Sequence, residues 1–145
     1  MKPSQACIDF VKSFEGFKEK AYLCPAGVWT IGYGTTEHVQ AGDEVTEPEA
    51  CELLAKDLQE SADAVDDLVD VELTQGQYDA LCSFIYNLGR GAFANSTLLK
   101  LINQGKSAKE CGPQFDKWVR AGGVVLSGLS RRRAAERRMF EGDMP

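Results

Sequence analysis

The sequence predicts an α+β domain in which a small β-sheet lobe faces a larger helical lobe across a cleft. Three observations carry that prediction. A chain of 145 residues is long enough for one domain with a real core. One alternating stretch, Val28-Trp29-Thr30-Ile31-Gly32-Tyr33, lies near the N-terminus and behaves as a strand. From Thr46 onward, helix-start signals recur ahead of apolar residues at helical spacing. A small sheet followed by a run of helices argues for segregated α and β regions. The expected division puts the β lobe at about residues 16–46 and the helical lobe at 1–15 and 47–145, joined by a connecting helix.

The elements follow in order. Pro3-Ser4 reads as a helix start, and Cys7/Ile8, Val11 and Phe14 repeat at helical spacing up to Gly16. Glycine there is a helix stop and leaves Glu15 in or just after the last turn. Cys24-Pro25-Ala26-Gly27 is turn chemistry, with proline presetting the first corner and glycine relieving the exit. The strand after it belongs to a sheet of two or three strands, thinned on one face by Gly32 and Gly34. Thr46-x-x-Glu49 is a capping box with Pro48 in the first turn, opening a long helix on Leu54, Leu58, Val65 and Val69. Its acidic opposite face reads as solvated. Thr74-x-x-Gln77 is a second capping box, and the helix it opens, apolar over much of its circumference, is the candidate central one. Ser96 or Asn95 caps a short helix ended by Gly105. Ser107-x-x-Glu110 starts another that reaches Phe115 and Trp118. Gly122-Gly123 and Gly128 break the chain, and Ser130 starts a last helix running to Gly142.

Composition narrows the class. The apolar share of 43% and charged share of 26% are those of a soluble globular protein. No run approaches a membrane span and no secretory signal pattern is present, so synthesis in the cytoplasm with export by another agent is expected. Neither stable membrane insertion nor nucleic-acid binding is expected. The five cysteines are irregularly spaced and His38 is the only histidine, which argues against a metal site and a disulfide framework. Cys51, Cys82 and Cys111 fall on helical patterns and read as small buried hydrophobes. The net charge of −6 is unevenly spread: residues 37–72 hold thirteen acids against the single base Lys56, so the remainder is basic, much of it in the arginines of 131–138.

Three polar groups stand close together in the first thirty residues. A carboxylate at a helix C-terminus, Glu15, faces the negative end of the macrodipole and loses solvent once a sheet packs over it. Both effects favour the protonated form that a general acid needs. A surface glutamate at a frayed helix end is the plainer reading. Cys24 lies at a polar turn, unlike the other four cysteines. Thr30 alone is an ordinary strand residue.

The spacing Glu15-x8-Cys24-x5-Thr30, within FEGFKEKAYLCPAGVWTIGYGTT, resembles the catalytic segment of phage-type lysozymes, glycoside hydrolase family 24. LTQGQYDALCSFIYNLGRGAF, STLLKLIN, FDKWVRAGG and GLSRRRAAERRMF fit further blocks in the same order, from about Gln5 to Phe140. The resemblance implies a lysozyme-like fold and hydrolysis of the β-1,4 bond between N-acetylmuramic acid and N-acetylglucosamine in bacterial peptidoglycan. It implies inversion at the sugar carbon and lysis of the host cell. Carried over by position, Glu15 matches the general acid and Thr30 the residue that helps place the attacking water. Cys24 occupies the position usually held by an aspartate. Asn87 and Gly32 match the saccharide groove, and Arg132 the arginine that pairs with the catalytic glutamate. A cation there opposes the protonation of Glu15 argued above. No cofactor is implied. A monomer acting in the periplasm and cell wall, admitted through a holin lesion, is expected. Because a thiol starts near a pKa of about 8.5, two other readings stay open: a silent peptidoglycan-binding domain, and a lytic transglycosylase that needs no hydrolytic water. A disulfide between Cys24 and a neighbour, Cys7 being nearest in sequence, is a third possibility for control.

Overall fold

The computed structural model describes residues 1–142. The first helix, α1, spans Gln5–Glu15. The Ser4 side chain accepts from the Cys7 amide at its start, and Ser4 is itself held by the Asp79 carboxylate. Gly16, at φ 68°, closes the helix, so Glu15 is its last residue. Strands β1 (Lys18–Leu23) and β2 (Trp29–Gly32) form an antiparallel pair with Tyr22 opposite Thr30 and Leu23 opposite Trp29. A third edge is supplied only by backbone bonds around residues 43–45, where the Ala21 amide donates to the Asp43 carbonyl and the Val45 amide to the Glu19 carbonyl. The lobe is therefore a two-stranded sheet braced by a loop.

Helix α2 (Glu47–Leu68) opens on the Thr46/Glu49 capping box and buries Leu54, Leu58, Ala62 and Val65. Val69 lies one residue past the helix as its C-cap. Helix α3 (Gln75–Leu88) opens on the Thr74/Gln77 box and buries an unbroken run from Tyr78 to Ile85. Burial on every side marks it as the axis of the helical lobe. Around it, Phe84 meets Phe93, Phe115 and Trp118 edge-on at centroid distances of 5.5–6.1 Å. Such offset contacts suit the quadrupoles of aromatic rings.

Short helices α4 (Arg90–Ala94) and α5 (Thr97–Asn103) follow, the latter capped by Ser96. Helix α6 is only Ala108–Cys111 and passes into a 3₁₀ turn at Gly112–Lys117. Pro113, which carries no amide hydrogen, suits the start of that turn. The Gly122-Gly123 break proves to be a hairpin. Strands β3 (Arg120–Ala121) and β4 (Val124–Val125) pair across the two glycines, both at positive φ. Two residues per strand are too few to show alternation. Helix α7 spans Ser127–Glu141, starting three residues before the expected Ser130. Leu126 offers no capping side chain, and Gly128 lies inside the first turn. Cys82 and Cys111 are buried as expected, whereas Cys51 is half-buried and its thiol donates to Glu47 Oε1 at 3.1 Å.

Candidate active site

A cleft of about 760 Å³ runs between the sheet and helices α2 and α3. Glu15 reaches it from the end of α1, Cys24 and Thr30 from the β1–β2 turn and strand, and Asn87 from the last turn of α3. Residues from four separate segments thus share one wall-to-wall space. Gly32 is not among the cleft residues. It sits at φ 63° against α2, where an added Cβ would lie 3.0 Å from the Ala50 Cβ. Its lack of a side chain serves sheet–helix packing on the α2 side of the strand. Gly34 lines the cleft, with φ 99°, and an added Cβ there would lie 3.1 Å from Tyr86 Oη and 3.6 Å from the Glu15 carboxyl.

The Glu15 side chain is 21% exposed, and its Oε1 lies 3.5 Å from Arg132 Nη1, whose side chain is 4% exposed. The guanidinium also stacks over the Phe14 ring at 5.7 Å. A cation fixed beside the acid stabilises the carboxylate left after it gives up its proton. Arg132 is therefore tied to the acid from behind. Asn87 is likewise positioned from below, because Arg133 Nη2 donates to its Oδ1.

Cys24 is half-buried in its turn, which is closed by Gly27 N–H to Cys24 C=O at 2.8 Å and Cys24 N–H to Val28 C=O at 3.0 Å. The Val28 amide, followed by the Ala26 amide and the Thr30 hydroxyl, holds the thiol below its usual pKa against the opposing effect of burial. The turn thus favours thiolate. Thr30 is buried and its hydroxyl donates to the Val28 carbonyl at 3.1 Å. A hydroxyl has one proton, so ionising Cys24 gives Thr30 a competing acceptor. Cys7 is in a different state. It is fully buried on α1, bonded to the Asp79 carbonyl at 3.5 Å, and burial pushes its thiol up to about 12. A protonated, enclosed sulfur is a poor partner for disulfide exchange.

The far wall of the cleft adds Asp57 and Glu60, hidden in sequence within the acidic face of α2, and Glu37 from the loop that precedes that helix. Glu37, Asp57 and Glu60 bring carboxylate oxygens within 4.8 Å of one another, and all three line the cleft. Asp57 accepts from the Thr35 hydroxyl at 3.2 Å, and burial raises it above the ordinary carboxylate range. Helical spacing alone does not separate these acids from their solvated neighbours. Their placement gathers carboxylates in the same cleft that Glu15 enters.

An acid backed by arginine, a turn carrying Cys24 and Thr30 in the same cleft and a two-lobed α+β frame together define a lysozyme-like domain. The muramidase domain of SpmX from Asticaccaulis excentricus has the same fold, with a TM-score of 0.90 and 41% identity over 96% of this chain and 97% of that one. The phage lysozyme family model matches residues 12–136. The endolysin of Salmonella phage P22 is 41% identical over 97% of this chain and 98% of its own length. The endolysin of Bacillus phage B103 is 45% identical over 97% of this chain, which spans 54% of that longer protein. The chain belongs to the phage lysozyme family.

Proposed function

We propose that the protein is a muramidase of the endolysin type, cutting the β-1,4 bond between N-acetylmuramic acid and N-acetylglucosamine in peptidoglycan. The observation that carries this reading is the placement of Glu15, mostly enclosed, paired to Arg132 and facing Cys24 and Thr30 across one cleft. Glu15 gives its proton to the leaving glycosidic oxygen. The sugar carbon gains positive charge, answered by the carboxylates of the α2 wall. A water held by Thr30 and Cys24 attacks the opposite face and passes a proton to the thiolate, giving inversion. Arg132 meanwhile stabilises the Glu15 carboxylate. Asn87 is placed to hydrogen-bond the saccharide.

The Val28 and Ala26 amides beside Cys24 favour this reading over a silent wall-binding domain, since they bias the thiol toward the form that can accept a proton from water. Mass spectrometry of fragments from purified sacculi is the test. New reducing ends carrying one added water are expected. Fragments ending in 1,6-anhydromuramic acid would indicate transglycosylation, and undigested sacculi with bound protein would indicate a binding module. The monomer acts on the wall after release, for which a holin lesion is the route this reading takes. Lysis on co-expression with a holin, and none without it, is the expected outcome.

A further inference from the structure

We infer that Glu136, a residue remote from the cleft surface, is a positioning residue that sets the charge behind Glu15 and the orientation of Asn87 together. This rests on the muramidase reading above. The Glu136 side chain is wholly enclosed between α7 and α3. Its Oε2 accepts from the Ser83 hydroxyl at 2.5 Å and from Arg132 Nε at 3.3 Å. Its Oε1 lies 2.9 Å from Arg133 Nη1. One carboxylate therefore sits between two guanidiniums, and each guanidinium extends its far end to a different cleft residue. Arg132 reaches Glu15 and also the Ser83 carbonyl at 3.3 Å; Arg133 reaches Asn87 and stacks on Phe84 at 5.3 Å.

Stability is a poor explanation for this cluster. Arg133 Nε, Arg133 Nη1 and Glu136 Oε1 are buried without a directed hydrogen bond, so the close Arg133–Glu136 approach is one of charge alone. Buried ions so incompletely satisfied cost more than a hydrophobic filling of the same space. Their arrangement does have a use at the cleft. With Glu136 ionised, one negative charge is shared by two positive ones, and the pull of Arg132 on Glu15 is moderated. Without that charge Arg132 acts on Glu15 undiluted, and proton delivery by Glu15 is opposed more strongly. The other groups facing Glu136 are Ser83 on α3 and Cys7 on α1, whose thiol is kept protonated first by burial and then by the charges of Asp79 and Glu136.

Glu136→Gln keeps the shape and one acceptor while removing the charge. Its kcat should fall about tenfold at neutral pH, and the alkaline limb of its pH–activity profile should move about one unit toward acid. Glu136→Asp should restore part of both. Arg133→Met should raise KM through Asn87 and move the pH limb the opposite way, toward alkaline, because Glu136 then answers Arg132 alone. An unchanged limb and kcat in a folded Glu136→Gln protein, with only a lowered melting temperature, would overturn the inference. Should Glu136→Gln fail to fold, Ser83→Ala decides the matter, because it removes the 2.5 Å donor to Glu136 and should shift the limb the same way. A wild-type protein that releases no reducing ends would sink the muramidase reading itself, a separate result from an active wild type with an unresponsive Glu136.

Discussion

Replacing Glu15 by glutamine tests the chemistry and the architecture separately. The substitution keeps the side-chain volume and removes only the ability to give a proton. At 3.5 Å, the gross attraction between Glu15 and Arg132 is about 5 kcal/mol at an effective dielectric of about 20. Little of that should appear in stability. Glu15 is partly open to solvent, and the attraction is set against the cost of enclosing both charges. Arg132 also keeps Glu136 at 3.3 Å after the change and is not left unpaired. A net effect within about 1 kcal/mol follows, or roughly 4 °C in melting temperature for a chain of this size. Catalysis should respond quite differently. Loss of a general acid costs about 10²–10⁴ in rate, or about 3–5 kcal/mol of barrier. Turbidity clearing of permeabilised cells, read beside a thermal melt, measures the two quantities on one sample. A Glu15→Gln protein that clears at more than a tenth of the wild-type rate would refute the assignment of the acid. A melting temperature lowered by ten degrees or more would refute the claim that the buried cluster supports Arg132 without it.

Four further outcomes are expected. Cys24→Asp should extend activity to lower pH, since an aspartate ionises near 3.9 and a free thiol near about 8.5, whereas Cys24→Ser should lose activity across the range; a serine variant equal to wild type would remove sulfur from the mechanism. The lowered thiol also fixes a stability sign: its contribution is fully present above the unfolded thiol's pKa and lost as pH falls through the folded value, so denaturant midpoints of wild type, compared with Cys24→Ser, should gain with rising pH. Gly34→Ala forces a side chain at φ 99° to within 3.1 Å of Tyr86 Oη and 3.6 Å of Glu15, and should cost roughly 1–3 kcal/mol with a fall in kcat, read from urea unfolding and initial rates. Phe84→Ala should cost about 3–5 kcal/mol in urea unfolding, because its fully buried ring meets three aromatic neighbours and Arg133.

The long helices were legible because their signals are local. Capping boxes at Thr46 and Thr74 and a glycine at 16 declare where helices start and stop without reference to the rest of the fold. The hairpin at 120–125 was obscured because a glycine pair marks a turn and a chain break alike. Side-chain destinations were harder still. Gly32 and Gly34 look equivalent in an alternating strand, yet one meets α2 and the other the cleft. Glu136 carried no signal at all, since an acid among arginines on a helix is the ordinary pattern of a solvated surface. Only the packing of α7 onto α3 turns that face inward.

Beneath the cleft, the Tyr86 hydroxyl donates to the Tyr33 carbonyl at 2.7 Å, carrying a bond from the helical axis of one lobe to the strand end of the other. Burial and the nearby Glu15 raise the Tyr86 phenol, so it keeps its proton and remains a donor. Aromatic rings do not stretch, and this one spans the floor like a fixed spacer. The Gly34 backbone lies close beside both the Tyr86 hydroxyl and the Glu15 carboxyl. One hydrogen bond through that ring thus ties the sheet lobe to the helical axis at the cleft itself.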